Sequence, residues 1–305
     1  MYQPLLSPKK QKERKKKLIA RSVLFSLCAI MCCSFAVWVF TVPDFQIKKI
    51  AVSGNKVLAS EDIKSVVQKD ISGKYLFLFP LANVLLYPKE KIQNDIFSAF
   101  HRANSVEISL ENDDTLLVSL TERDPAALWC GLEKDADETN GCFYMDKTGY
   151  LFDVSPTFSG DAYFKFYGKG LLGKGDPIGH NFISYDLFRE VSDLRNMLEK
   201  YGKKMIEIFL GDDSRAELIT ESGCMIIFST DQEFEPLMAN MEVVFSSSDW
   251  GKKIHGSDKC AELEYIDFRF GNKIYYKQKT SSPTPIVFAT TTALIGQIPF
   301  SQVIR

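Results

Sequence analysis

Seven cysteines, three histidines and one glycine-rich segment are the places where this 305-residue sequence could carry chemistry. Cys130 and Cys142 bracket GLEKDADETNG, a polar stretch between two strand-like runs, so in an oxidising compartment a disulfide is expected across its base. Cys224 and Cys260 stay open between a second bridge and buried thiols, because sequence alone does not bring them within the ~4.4–6.8 Å Cα separation a bridge needs. Cys28, Cys32 and Cys33 sit in an uncharged run and read as packing thiols. None of the seven has metal-ligand spacing. His101, His180 and His255 lie roughly 75 residues apart with no Cys or acidic residue at ligand spacing, so no metal is expected. GKGLLG, with Gly168, Gly170 and Gly173, fits the G-x-G-x-x-G dinucleotide pattern after the strand-like YFKFY. No helix opens at its third glycine, since GKGDPIG intervenes, and a surface loop is the expectation. The pairs Asp113-Asp114 and Asp212-Asp213 lie between strand runs, where carboxylates solvate turns, and there is no G-x-S-x-G elbow. No catalytic, metal-binding or cofactor-binding residue and no cofactor is expected.

The elements that must position the rest begin with a membrane anchor. Ser22 to Val42 is uncharged, and at about 1.5 Å rise per residue it can cross a hydrocarbon core of roughly 30 Å as one helix. Trp38, Phe40 and Pro43 follow where a cleaved leader would carry small residues, so the helix is expected to stay attached. Residues 1–21 carry eight Lys and Arg against Glu13, a net of +7, which places that tail in the cytoplasm. Beyond the span 29 basic and 38 acidic residues leave −9, which argues against nucleic acid as a partner of the larger part.

After the span, FQIKKIAVSGN reads as a strand stopped at Gly54-Asn55. A helix follows with Ser60 as N-cap, Glu61 and Asp62 at its positive end, and Ile63, Val66 and Val67 at helical spacing. Pro88 opens a second helix whose buried stripe is Ile92, Ile96, Phe97 and Phe100. Val106, Ile108 and Leu110 alternate, Asn112-Asp113-Asp114 turns the chain, and Leu116, Val118 and Leu120 alternate again, giving a hairpin. Residues 45–122 are thus expected in the order β-α-α-β-β.

That order behind a single span resembles a POTRA domain. Val52, Gly54 and Asn55 of V-x-G-N, GKYLFLF, and TERDPAALW with Glu122, Arg123, Pro125, Ala126 and Trp129 are similar to the FtsQ/DivIB family of bacterial division proteins. Asp146, Gly149 and Phe152 in MDKTGYLF and the late LEYIDFRFGNKIYYK complete the likeness in order. The fold class it implies is α+β: a cytoplasmic basic tail (1–21), a transmembrane helix (22–42), a POTRA domain (45–122), a mainly antiparallel FtsQ-type β domain with about two helices (123–279), and an uncharged tail (280–305) that departs from the family pattern and is open between disorder, docking on a partner and covering the last strand.

In the second region, Phe182 to Tyr201 is expected to be a helix ending at Gly202, and PLMANMEVVF a second one begun by Pro236. In the last hairpin Ile266, Phe268 and Phe270 are expected on one face, with Tyr265, Asp267 and Arg269 on the other and Tyr275 and Lys277 outward on the partner strand. Tyr265, Asp267, Arg269, Tyr275 and Lys277 are the expected partner-binding set, against the alternative of an ordinary solvated sheet face. Glu122 and Arg123, before Pro125, mark a domain junction, as an inter-domain latch or a surface ion pair; Asp146 and Gly149 are expected to make a tight turn. The resemblance implies a scaffold without enzymatic activity at the division septum. Its partners would be small bitopic proteins like FtsB and FtsL, captured by an extended segment added to the edge strand Ile274–Lys279, unless the tail covers that edge. The alternatives are an envelope protein-assembly factor carrying a POTRA domain and a membrane-anchored cell-wall enzyme.

Overall fold

Helix α1 (Pro8–Thr41) takes in most of the basic tail as well as the uncharged run. It starts earlier than the expected 22–42 because Lys, Arg, Gln and Glu are good helix formers and no Gly or Pro interrupts them after Pro8. Arg14–Phe40 is long and apolar enough to cross a membrane. The computed structural model describes residues 8–75, 79–112, 114–133, 141–158, 162–246, 263–271, 273–279 and 298–299. It divides into two units, Met1–Glu122 and Arg123–Arg305.

In the first unit, β1 (Lys49–Ser53) leads to α2 (Ser60–Ile71), a two-residue-per-strand hairpin of β2 (Lys74–Tyr75) and β3 (Phe79–Pro80), α3 (Lys89–Ala99), and the long hairpin β4 (Ala103–Glu111) and β5 (Thr115–Glu122). The sheet order is β1-β5-β4, with β5 parallel to β1 and antiparallel to β4. Alternation along β4 and β5 turns Val106, Ile108, Leu116, Val118 and Leu120 to one face, where Ile63, Val67 and Ile71 of α2 and Ile92 and Ile96 of α3 cover them. Asn112 turns this hairpin with φ 52°, while Asp113 lies outside the described residues. Three local expectations shift. Ser60 is the first helical residue and Ala59 the cap; the Ser60 hydroxyl accepts instead from Asn55 at 3.1 Å. Pro88 is the cap of α3, one position before the helix proper. Phe97 is exposed, because it lies about 100° around the helix from buried Ile96.

The second unit is one ten-stranded sheet. Its strands are β6 (Ala127–Trp129), β7 (Cys142–Met145), β8 (Leu151–Ser155), β9 (Lys165–Gly168), β10 (Met205–Leu210), β11 (Arg215–Thr220), β12 (Met225–Ser229), β13 (Leu263–Phe270), β14 (Lys273–Gln278) and β15 (Ile298–Pro299), with helices α4 (Tyr185–Lys200) and α5 (Phe234–Ser246). The order is β15-β14-β13-β12-β11-β10-β9-β6-β7-β8. Most neighbours are antiparallel; β6 with β9, β9 with β10, and β12 with β13 are parallel. The helices explain two of these, since α4 connects β9 to β10 and α5 connects β12 to β13, and a parallel pair needs a crossover. Phe188, Val191, Leu194 and Leu198 of α4 and Leu237, Met241 and Phe245 of α5 join Phe166, Ile208, Leu218, Ile226 and Phe268 in one core. The Tyr201 hydroxyl donates to Glu242 at 2.8 Å between the two helices. Helix α4 begins at Tyr185, three residues later than expected, because the Ser184 hydroxyl caps it by accepting from the Leu187 N–H at 3.2 Å. Gly202 ends it at φ 71°, as expected. Helix α5 opens at Phe234, which puts Pro236 in a first turn that needs no N–H there.

Candidate partner-binding surface

The final hairpin pairs Tyr265 with Lys277, Ile266 with Tyr276 and Asp267 with Tyr275, and then slips, so that Phe270 meets Lys273. The irregularity falls between Asp267 and Phe270 and breaks the alternation the sequence implies. Phe270, expected inward beside Ile266 and Phe268, is therefore 53% exposed, and its ring meets Tyr275 edge-on at 5.0 Å. Asp267, expected outward, is buried. Its carboxylate accepts from the Arg269 backbone N–H at 3.0 Å and from the guanidinium Nε and Nη2 at 3.0 and 2.7 Å. Those bonds raise the Arg269 pKa above its ordinary value. Lys277 lies 2.7 Å from Glu264, and the hydrogen bond between them raises its pKa likewise. Of the expected partner-binding set, Asp267 is thus buried and Arg269 and Lys277 are already joined to carboxylates, which leaves the Tyr265 and Tyr275 rings. The edge is also modified: β15 pairs with Lys273 and Ile274 at the start of β14, so the tail covers part of the Ile274–Lys279 edge, the alternative that the sequence left open.

At the boundary of the units, neighbouring side chains serve separate loops. Glu122 is buried at the end of β5, and its Oε1 accepts from the consecutive N–H groups of Lys56, Val57 and Leu58 at 2.6, 2.9 and 3.0 Å. Three N–H groups converging on one oxygen make an anion nest at the entry to α2. Burial pulls the Glu122 pKa up, but the bonds from Leu58, Lys56 and Val57 and the charge of Arg102 outweigh it and hold the carboxyl below its ordinary value. Arg123 pairs with Asp146 and lies 4.2 Å over the Tyr150 ring. Asp146 Oδ1 accepts from the Thr148 N–H at 2.7 Å and hydroxyl at 2.6 Å, tying the turn from β7 to β8. Gly149 completes that turn at φ 79°, where an added Cβ would collide with the Ile183 carbonyl. Both charges are largely buried, which overturns the reading of Glu122 and Arg123 as a surface ion pair. Pro125 precedes Ala126, whose N–H donates to the Met145 carbonyl at 2.8 Å where the sheet begins.

Cys130 and Cys142 form the expected disulfide, with Cα atoms 4.2 Å apart, joining the end of β6 to the start of β7. Cys224 is disulfide-bonded as well, so it is not a buried thiol, while Cys260 lies outside the described residues. In GKGLLG, the Gly168 carbonyl accepts from the Trp129 indole at 2.9 Å, and at φ 105° a Cβ there would collide with the Leu210 carbonyl. That glycine lets β9 lie close beside β10. Among the described residues no group of His, Cys, Asp and Glu is placed to hold a metal. Sequence reading missed a groove of about 370 Å³ beside α4, lined by residues of β6, β9, α4 and the β7–β8 turn. Its lining comes from four separate segments, so no local pattern announces it. No protein-family model and no curated protein matches this chain.

Proposed function

We propose that this chain is a bitopic scaffold of bacterial division, similar to FtsQ/DivIB, whose two units bind other division proteins and catalyse no reaction. The observation that carries this reading is the succession of parts. A helix able to span a membrane is followed by a strand-helix-helix-strand-strand unit with sheet order β1-β5-β4, its two helices separated by the short β2–β3 hairpin, and then by a mostly antiparallel sheet whose last long strands form a hairpin. In this reading the first unit is a POTRA domain and the second an FtsQ-type β domain. The residues of the TERDP and D-x-x-G motifs support it, because Glu122 holds residues 56–58 within the first unit while Arg123, Asp146 and Gly149 hold the β7–β8 turn within the second.

A partner of the FtsB or FtsL kind would add an extended segment along β14 beyond Ile274, where main-chain bonds give affinity and the Tyr265, Phe270 and Tyr275 rings give selectivity. The N-terminus is cytoplasmic in this reading, by the positive-inside rule, and the bulk lies outside the cytoplasmic membrane at the septum. A fluorescent fusion tests it. Mid-cell bands, with recovery of an FtsB-like protein by membrane affinity purification that is lost on deleting 271–305, are the expected result. Uniform envelope signal would favour an assembly factor, and wall-degrading activity of the purified chain would favour an enzyme; either rejects the proposal.

A further inference from the structure

The groove beside α4 has an apolar floor of buried Phe164, Phe166 and Phe188, yet its rim carries Lys147, Arg189 and Arg195 and no carboxylate lines it. Three cations gathered there stand against the −9 carried by the sequence beyond the span. Their surroundings differ. Arg189 is exposed and ion-paired with Asp186 at 3.4 Å, a wet pair that an incoming carboxylate can share, and Lys147 is exposed on the β7–β8 turn. Arg195 lies 4.7 Å over the Phe164 ring, half-buried, and burial draws its pKa below the ordinary guanidinium value against the opposing charge of Glu199, one turn on. A half-buried guanidinium over an apolar floor is short of water, so an incoming carboxylate gains more there than at a fully wet surface.

We propose that this groove docks an acidic amphipathic helix of a partner protein, its apolar stripe on the phenylalanine floor and its carboxylates on Arg189 and Arg195. Strand addition does not fit at this place, since β6 and β9 are each paired on both sides. A helix does. Tyr185, Phe188, Ser192 and Arg195 form one stripe of α4 along the groove, against which a second helix can pack ridge into groove. Arg189 and Arg195 are six residues apart, about 9 Å along the axis, so the matching carboxylates lie roughly two turns apart on the occupant. This surface is separate from the final hairpin and does not depend on the division reading.

The test uses the full chain in lipid nanodiscs and a fluorescein-labelled helical peptide bearing a leucine stripe and two glutamates two turns apart, with a twin carrying lysines instead. Anisotropy should show saturable binding of the glutamate peptide, weakening several-fold as salt rises from about 0.05 to about 0.5 M, and no binding of the lysine peptide. Arg189→Glu, at an exposed position, should weaken the glutamate peptide about tenfold. Ser192→Trp, which fills the groove, should abolish binding with the melting temperature retained. Should both peptides bind equally, should binding ignore the two substitutions and salt, or should no saturable binding occur, the proposal is overturned.

Discussion

Replacing Glu122 with Gln keeps the outline of the side chain and removes the charge that the N–H groups of Lys56, Val57 and Leu58 face. The expected loss is about 1.5–3 kcal/mol for the first unit, read as a lower melting temperature. The pH dependence has a definite sign: because the folded pKa is depressed, the charge stabilises at neutral pH, and that benefit fades as pH falls from the ordinary glutamate value near ~4.3 through the lower folded one. Melting curves at descending pH should therefore bring the native chain and Glu122→Gln together. Gly149→Ala combines a φ of 79° with a collision at the Ile183 carbonyl, so it should destabilise the second unit by more than about 2 kcal/mol, whereas an Ala at Gly173, which meets nothing within 4 Å, should leave it close to native. That these residues mattered was legible in TERDP and in D-x-x-G. What they touch was not, because the Glu122 partners lie 64 to 66 positions away in the chain.

The β4–β5 hairpin could be read directly, since alternation and turn chemistry are both local. The final hairpin could be read only up to its irregularity: nothing in LEYIDFRF announces that Asp267 turns inward to Arg269 and Phe270 outward. Arg269→Ala should cost the second unit about 1–3 kcal/mol by stranding the buried Asp267 carboxylate, a figure reduced from the fully buried case because the arginine is 30% exposed. Lys277→Ala, at an exposed pair, should be indistinguishable from native in the same melt. The parallel pairs were not legible for a different reason: the helical spacing of α4 and α5 marks two helices but does not say that each is the crossover that makes β9–β10 and β12–β13 parallel. Replacing Cys130 and Cys142 together with Ser opens a ring of about thirteen residues and should cost roughly 2–3 kcal/mol, measured by denaturant titration against the oxidised chain.

For the molecule as a whole, composition was the best guide. The helix that can cross a membrane and the charge contrast on its two sides were plain from the residues, whereas for the tail the residues offered coverage of β14 only as an alternative and did not say that β15 would pair with its first two residues. With an N-terminal epitope on the full chain, protease added outside sealed protoplasts should remove everything beyond Val42 and spare the epitope; degradation of the epitope would reverse the assigned orientation. The position of β9 bears on how such a chain is made. Synthesis lays down β6, β7 and β8 first, and the long side of β6 is sealed only when residues 165–168 arrive, with β10 following on the other flank after the whole of α4. For that interval the nascent chain presents an open row of main-chain donors and acceptors, the kind of template on which neighbouring copies aggregate. Between about residues 155 and 210 the growing sheet is therefore open first at β6 and then at β9, as it is again at β12 until β13 is made.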